Sequence, residues 1–428
     1  MGIQGNPKWS KESIEEFLAR EKPRYQKISL PHGLSTGGYD RPQIKSIALD
    51  DIRGKTLLDV GSCYGGFCIE ALQRGASKAV GIELSRKRIQ AARTLADMLG
   101  LSPDYRFEDI ESLELDETFD VTICLDVLHH LRDPIGVLRK LSEITNERLI
   151  LEVASAGRHD RRKLGIGPIR GHFLSSTPAM LVGPYNPHSL RQTYFFTRSA
   201  MKTILGEHRR IFRTVNIIDS EFKDRFIAVA EKIRINRMVL ICGLTSSGKS
   251  TFRDSFVNGE FSGKIKPVEM NGTVLTGANR ISKKPLDSIF PAARCDRVVY
   301  HYDISRKETL STYSYDRDVA TDVMALAEEL DIVLIAPTLE SLQKQLAASE
   351  LSGSRFRTSK KHLRLQELYN DPVWVESMYR DFIDFCSIAC RGKLNFMIYH
   401  EISDKRQLTS TESASKAKKL IHEIYLGR

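Results

Sequence analysis

The 428-residue sequence contains no run of about 18 consecutive apolar residues, so it offers no membrane-spanning helix. Its start, MGIQGNPKWSKES, lacks the apolar core of a signal peptide, and Asn6 stands where an N-myristoylation motif wants Ser or Thr. The seven cysteines are scattered without framework spacing, and an odd set of that kind fits reduced thiols packed as small apolar residues. Cys63 and Cys68 are too isolated for a zinc site. Internal repeats and low-complexity tracts are also missing. These absences lead to the expectation of a cytoplasmic protein. Apolar content of 41% and charged content of 28% describe an ordinary globular chain, long enough that two domains are expected.

The net charge of +10 points to an anionic partner. Between Gly157 and Arg213 eleven Lys or Arg face two acids, Asp160 and Glu207, so this stretch carries +9 of that charge. It is equally what a solvated basic loop would show.

From Thr56 to Glu231 short apolar runs alternate with amphipathic helical stretches, the pattern of an α/β domain with a parallel sheet covered by helices. Strands are predicted at 56–60, 79–83, 104–107, 121–125 and 149–153, with helices at 67–74, 86–99 and 134–141. Two more strands, near 214–218 and 225–230, could close the sheet. The long connection ahead of them is rich in Gly, Pro and aromatics, the composition of a binding face more than of a core. A second alternation begins near Arg237, with predicted strands at 238–242, 297–303, 331–336 and 395–400 and a final helix at 413–425. Three segments are therefore expected: 1–55 as a leading helical or lid segment, 56–233 as the first domain with a basic insertion at about 157–213, and 234–428 as the second.

TLLDVGSCYGGF (56–67) is a strand ending near Asp59, then Gly61, Gly65 and Gly66, then a helix. Glycine lets the chain turn sharply and leaves room for a ligand at the backbone. VGIELS puts Glu83 at the end of the second strand, where a carboxylate can accept from both hydroxyls of a ribose. FEDI puts Asp109 after the third strand, and CLDVLHHLRDP follows the fourth. This ordered set resembles the class I S-adenosylmethionine-dependent methyltransferases over most of 56–231. The resemblance implies that Asp59, Gly61 and Gly65 hold the methionine part of the donor, Glu83 the ribose and Asp109 the adenine, with Asp126 orienting the donor. A dinucleotide dehydrogenase is disfavoured, because Ser62 and Cys63 fall where G-x-G-x-x-G needs its second glycine. Together with YQKISLPHGLSTGGYDR (25–41), the stretch DVLHHLRDP is also similar to the wobble-uridine tRNA carboxymethyltransferase group and relatives that modify small molecules. His130 and His129 are the candidate bases for a hydroxyl acceptor.

GLTSSGKS (243–250) fits G-x-x-x-x-G-K-[ST] without a mismatch, between an apolar strand and a helix. Gly243, Ser247, Gly248, Lys249, Ser250 and Thr251 would cradle the phosphates of ATP or GTP, with Ser250 and Asp303 at Mg²⁺. DIVLIAPTLESLQKQL resembles the strand and helix ahead of the lid in small P-loop kinases. Arg355 and Arg357, with Lys360 and Lys361, stand where such a lid would close; Asp303 is also the candidate for activating an acceptor hydroxyl. Asp287, Glu269 and Asn271 are further candidates to face the acceptor.

The expectation is thus two doubly wound domains, a Rossmann-like methyltransferase followed by a P-loop NTPase. They would form a bifunctional enzyme joining methyl transfer to ATP-dependent phosphoryl transfer on a glycan, a metabolite or RNA. RNA binding would use Tyr185, Tyr194, Phe195 and Phe196 interleaved with Arg170, Arg191 and Arg198, aromatics that could equally pack a lid. The alternative is an RNA- or tRNA-modifying methyltransferase whose second domain binds nucleotide only as a regulator.

Overall fold

The computed structural model describes residues 6, 8–183, 194–208, 212–258, 260, 273–276, 294–305, 320–321, 323–351, 360–390, 392–402 and 405–427. Contacts divide the chain into two units, Met1–Lys232 and Ile233–Arg428.

In the first unit, β1 (Thr56–Val60), β2 (Lys78–Glu83), β3 (Asp104–Phe107), β4 (Phe119–Leu125) and β5 (Thr145–Ala154) form a parallel sheet. The hairpin β8 (Phe212–Asp219) and β9 (Arg225–Lys232) completes it in the order β3-β2-β1-β4-β5-β9-β8, with β9 antiparallel to both neighbours. Four of the five residues of β1 are buried, as a strand covered on both faces requires. The helices α1 (Lys11–Glu21), α2 (Pro42–Leu49), α3 (Gly66–Gln73), α4 (Arg86–Met98) and α5 (Pro134–Ile144) supply the cover. Ile14, Phe17, Ile44, Phe67, Ile89 and Leu95 pack on the sheet residues Leu57, Val121 and Ile123. Starts are marked locally: Ser85 accepts from the Arg88 N–H at 3.3 Å, and Asp133, ahead of Pro134, accepts from the Gly136 N–H at 2.8 Å.

The insertion after β5 holds α6 (Arg158–Lys163), α7 (Pro168–Ser176), the small hairpin β6 (Met180–Val182) and β7 (Tyr194–Phe196), and α8 (Arg198–Thr203). Phe195 and Phe196 are buried, so neither offers a ring face to a base, whereas Ile169 and Phe173 of α7 are exposed. Tyr185 and Arg191 lie outside the described residues.

The second unit is built on β10 (Arg234–Gly243), flanked by β12 (Arg294–Asp303) and β13 (Ala327–Ala336). With β11 (Thr273–Thr276), β14 (Lys393–Ile402) and β15 (Lys405–Thr411) the order is β11-β12-β10-β13-β14-β15, parallel except for the last strand. Its helices are α9 (Lys249–Val257), α10 (Leu339–Leu351), α11 (Lys360–Leu368), α12 (Pro372–Ala389) and α13 (Ala414–Leu426). Strands run beyond their predicted ends because flanking charges pair at the sheet margin: Arg234 with Glu328, and Arg237 with the buried Asp331. No described helix is long and apolar enough to cross a membrane.

The turn from β1 into α3 depends on glycine. Gly65 has φ +75°, and a Cβ there would lie 2.0 Å from the Tyr105 hydroxyl, which donates to the Gly65 carbonyl at 3.0 Å. We predict that Gly65→Ala lowers stability by about 1–3 kcal/mol. Urea unfolding checks this; an unchanged midpoint would contradict the packing described.

Candidate active site

In a parallel sheet of this order, β1 and β4 are adjacent but their connections leave in opposite directions, opening a crevice at their carboxyl ends. The candidate residues of the first unit gather there. Gly61 (φ +77°) and Cys63 (φ +54°) shape the turn, and the Gly61 and Ser62 N–H groups donate to the Ile82 carbonyl at 2.8 and 3.0 Å. This locks the turn onto the end of β2. Glu83, only 7% exposed, accepts from the Cys63 N–H at 3.1 Å and from the Ser85 N–H at 2.9 Å, with the Arg88 guanidinium 3.7 Å away. Its carboxylate is therefore held in one orientation against the glycine turn.

Asp59 is 2% exposed, and among the described residues nothing hydrogen-bonds its Oδ2. Burial, with the negative charge of Glu83 added, pushes its carboxyl up to about 8 against a weaker opposing pull from Arg41. Asp109 is half-buried beyond β3, and its Oδ1 accepts from the Glu111 N–H at 2.9 Å in a tight local turn.

Residues 52–166 match a family model described as a methyltransferase domain. This match places a methyltransferase domain within the first unit. The chain is 32% identical over 111 residues to the ubiquinone biosynthesis O-methyltransferase of Actinobacillus pleuropneumoniae serotype 5b (strain L20), covering 24% of this chain and 47% of that protein. To the enzyme of the same name from Hahella chejuensis (strain KCTC 2396) it is 34% identical over 110 residues, 25% of this chain and 46% of that protein. The chain thus spans about half the length of these curated relatives. Among solved structures, a S-adenosylmethionine-dependent methyltransferase from Listeria monocytogenes, itself described as putative, aligns with a TM-score of 0.35 at 21% identity, over 44% of this chain and 95% of that one.

Beyond β4 of the methyltransferase domain, the short turn Leu128–His130 carries both candidate bases. The two rings lie 4.1 Å apart but in different surroundings. His129 is 1% exposed, and burial, helped by His130, lowers it to about 3, so its ring is neutral. His130 is exposed at its edge and only partly desolvated, which also lowers it. Of the two candidate bases, His130 is therefore the one exposed to solvent. Asp126, in the left-handed region at φ +61°, is ion-paired with Arg225.

One feature of this edge has no local signal in the sequence. Arg41, from the leading segment, pairs with Glu152 at the end of β5 at 2.5 Å, both side chains being buried, and Ser220 also donates to Glu152. The partners are 111 positions apart, and only the topology joins them. The leading segment is pinned a second time where the Gly66 N–H donates to the Gln26 side chain at 2.9 Å.

In the second unit the chain leaves β10 at Gly243, beside Asp303 of β12 and Ile335 of β13 in register. A Cβ on Gly243 would lie 2.8 Å from the Ile335 carbonyl oxygen, and Gly248 at φ +89° turns the chain into α9. Lys249 opens that helix, is 5% exposed, donates to the Leu244 carbonyl and lies 3.4 Å from Asp303. Thr245 donates to Asp303 at 2.9 Å, the Ser305 N–H does the same at 2.9 Å, and the Thr245 N–H donates to the Ser305 hydroxyl at 2.8 Å. Burial alone would raise the Asp303 carboxyl, but Lys249 and these hydrogen bonds outweigh it and hold it below the usual carboxylate range. Ser250 and Thr251 are exposed on the first turn of α9, while the buried Ser247 hydroxyl has no hydrogen-bond partner among the described residues. Arg355, Arg357, Asp287, Glu269 and Asn271 lie outside the described residues, as do the side chains of Lys360 and Lys361.

The shifts predict opposite pH dependences. Asp59 keeps a proton in the folded state between its ordinary value of 3.8 and about 8, so its contribution to stability falls as pH rises through that window. His129 stays neutral when folded between about 3 and its ordinary 6.5, so its contribution is lost as pH falls through that range. Asp59→Asn should therefore gain on wild type as pH rises from about 4 to about 8, with little difference at the acid end. Denaturant melts across this range check it, and a pH-independent difference would contradict the assignment.

Proposed function

We propose that the first unit transfers a methyl group from S-adenosylmethionine to an oxygen of a small acceptor. The second unit would grip Mg-bound ATP or GTP at residues 243–250 and transfer its terminal phosphoryl group. The observation that carries the first half is Glu83. It is buried, fixed by two backbone N–H groups against the glycine turn, and has lone pairs left for ribose hydroxyls. Glu83 also makes this crevice favourable to a donor whose sulfonium and amino groups are cationic, and such a donor would favour the ionised form of Asp59. Asp109 at the end of the third strand supports the adenine position, and His130 would take the proton of an acceptor hydroxyl. Asp126, already paired with Arg225, would orient the donor through that pair. The curated relatives act on oxygen by name, which favours an oxygen acceptor here. Burial of Phe195 and Phe196 favours a small acceptor over stacked RNA bases.

For the second half, the support is the loop itself at the carboxyl end of a central strand, leading into a helix N-terminus where backbone N–H groups attract anions. Lys249 stands beside Asp303, the pairing that a phosphate and Mg²⁺ would reorganise. Joining the two units would let one product reach the other site at raised local concentration.

The test supplies labelled S-adenosylmethionine to a cell extract separated into small-molecule, glycan and RNA fractions, with and without ATP. Label should enter the small-molecule fraction, depend on ATP and fall with Lys249→Ala. Label in RNA, or label indifferent to both ATP and Lys249, would contradict the coupled reading. Glu83→Ala should weaken donor binding at least tenfold by calorimetry, since hydrogen bonds to a charged group contribute about 1.5–3 kcal/mol each. Unchanged donor affinity would remove the ribose assignment.

A further inference from the structure

A cavity of about 100 Å³ opens beside the loop at 243–250, at the carboxyl ends of β10, β13 and β14. It is lined by Ser247, Gly248, Phe252, Tyr399, His400 and Arg406, among others. It therefore adjoins the place proposed for the phosphates. The Phe252 and Tyr399 rings stand 4.7 Å apart at 58° and give one side of it an aromatic wall. The opposite character comes from His400, which is 2% exposed near the end of β14. Its Nε2 lies 2.9 Å from the Thr409 hydroxyl of β15, with the Gln407 amide more distant at 3.5 Å. Among the described residues its Nδ1 has no hydrogen-bond partner. A buried polar nitrogen without a partner costs free energy, so its presence in a cavity wall calls for a ligand atom.

We propose that this cavity takes the base of the nucleotide held at 243–250, with His400 Nδ1 accepting a hydrogen bond from an N–H on the edge of that base. The inference rests on the reading of the loop as a triphosphate site and adds what that reading lacks, the means of telling bases apart. A neutral imidazole has one donor and one acceptor nitrogen. The Thr409 hydroxyl can accept from Nε2–H at this distance, the tautomer the proposal requires and the one that leaves Nδ1 to accept. Burial lowers His400 from its ordinary value, which keeps the ring neutral near pH 7. With the base in the cavity, the phosphates would lie outside it on the loop. Adenine offers its exocyclic amino group to such an acceptor and guanine its ring N–H and amino group; a 6-unsubstituted purine offers neither.

The experiment is equilibrium binding of the full chain, with Mg²⁺, to ATP, GTP, purine riboside 5′-triphosphate and inorganic tripolyphosphate. Either ATP or GTP should bind on the order of tenfold tighter than purine riboside triphosphate, the worth of one hydrogen bond to a buried group. His400→Phe should bring that ratio to about one while tripolyphosphate binding stays unchanged, which also reports that the loop remains folded. Thr409→Val, at a half-buried position, should lower the ratio in the same direction by freeing the tautomer, and serves where His400→Phe does not fold. Equal binding of all three nucleotides by wild type, or a ratio that survives at His400→Phe and Thr409→Val, would overturn the base assignment alone. Failure of wild type to bind tripolyphosphate or any nucleotide, or undiminished binding at Lys249→Ala, would overturn the loop reading and the base assignment with it.

Discussion

A strand buried on both faces must leave its sheet through a turn with almost no space around it, and both halves of this chain are organised by that constraint. In the first unit the chain passes from β1 into α3 under the Tyr105 hydroxyl and against Val127, where added Cβ atoms on Gly65 and Gly61 would overlap them. In the second it passes from β10 into α9 against the Ile335 carbonyl. Because side chains are excluded, the backbone at each turn has no Cβ in the way of a ligand, and neighbouring strands deliver their carboxylates to the same edge. Glu83 and Asp303 are those carboxylates. One requirement of packing thus creates the crevice and the chemistry within it.

The two crevices solve their electrostatics differently. In the first, Asp59 is buried without a cation close enough to offset its burial, and its carboxyl rises to about 8. A cation bound beside it would lower that value and favour the ionised form. In the second, Lys249 and Asp303 compensate each other directly, so a phosphate bound there as proposed would compete for the lysine and a metal for the aspartate. The buried Arg41–Glu152 pair has another consequence. Breaking such a pair costs about 3–5 kcal/mol because one charge is left behind, so it fastens the leading segment over the sheet edge.

Much of the first unit was legible because its signals are local. The five parallel strands, the three helices between them and the closing hairpin lie close to where the hydrophobic period places them, with strand ends up to four residues off. The carboxylate at Glu83 was legible for the same reason, since its position relative to strand and glycine turn is a matter of spacing. What the sequence conceals is long-range or context-dependent. Nothing near Arg41 announces Glu152, and nothing near Asp126 announces Arg225. The two histidines are adjacent letters, yet one is sealed and one meets solvent, a difference set by the packing of a single turn. The aromatic run at 194–196 reads as a stacking surface beside basic residues, whereas β7 turns Phe195 and Phe196 inward. The edge strand β15 escapes a hydrophobic pattern because three of its first four residues are exposed, and yet it supplies Thr409 to His400.

A chain holding two ligand sites of unrelated design, as proposed, would bind both ligands at once. The most direct measurement is a calorimetric titration of the full chain with S-adenosylhomocysteine and, separately, with a non-hydrolysable ATP analogue and Mg²⁺, each repeated in the presence of the other. Two saturable sites of one ligand per chain are expected, neither ligand displacing the other. Competition between the ligands for one site, or saturation by neither, would contradict that expectation.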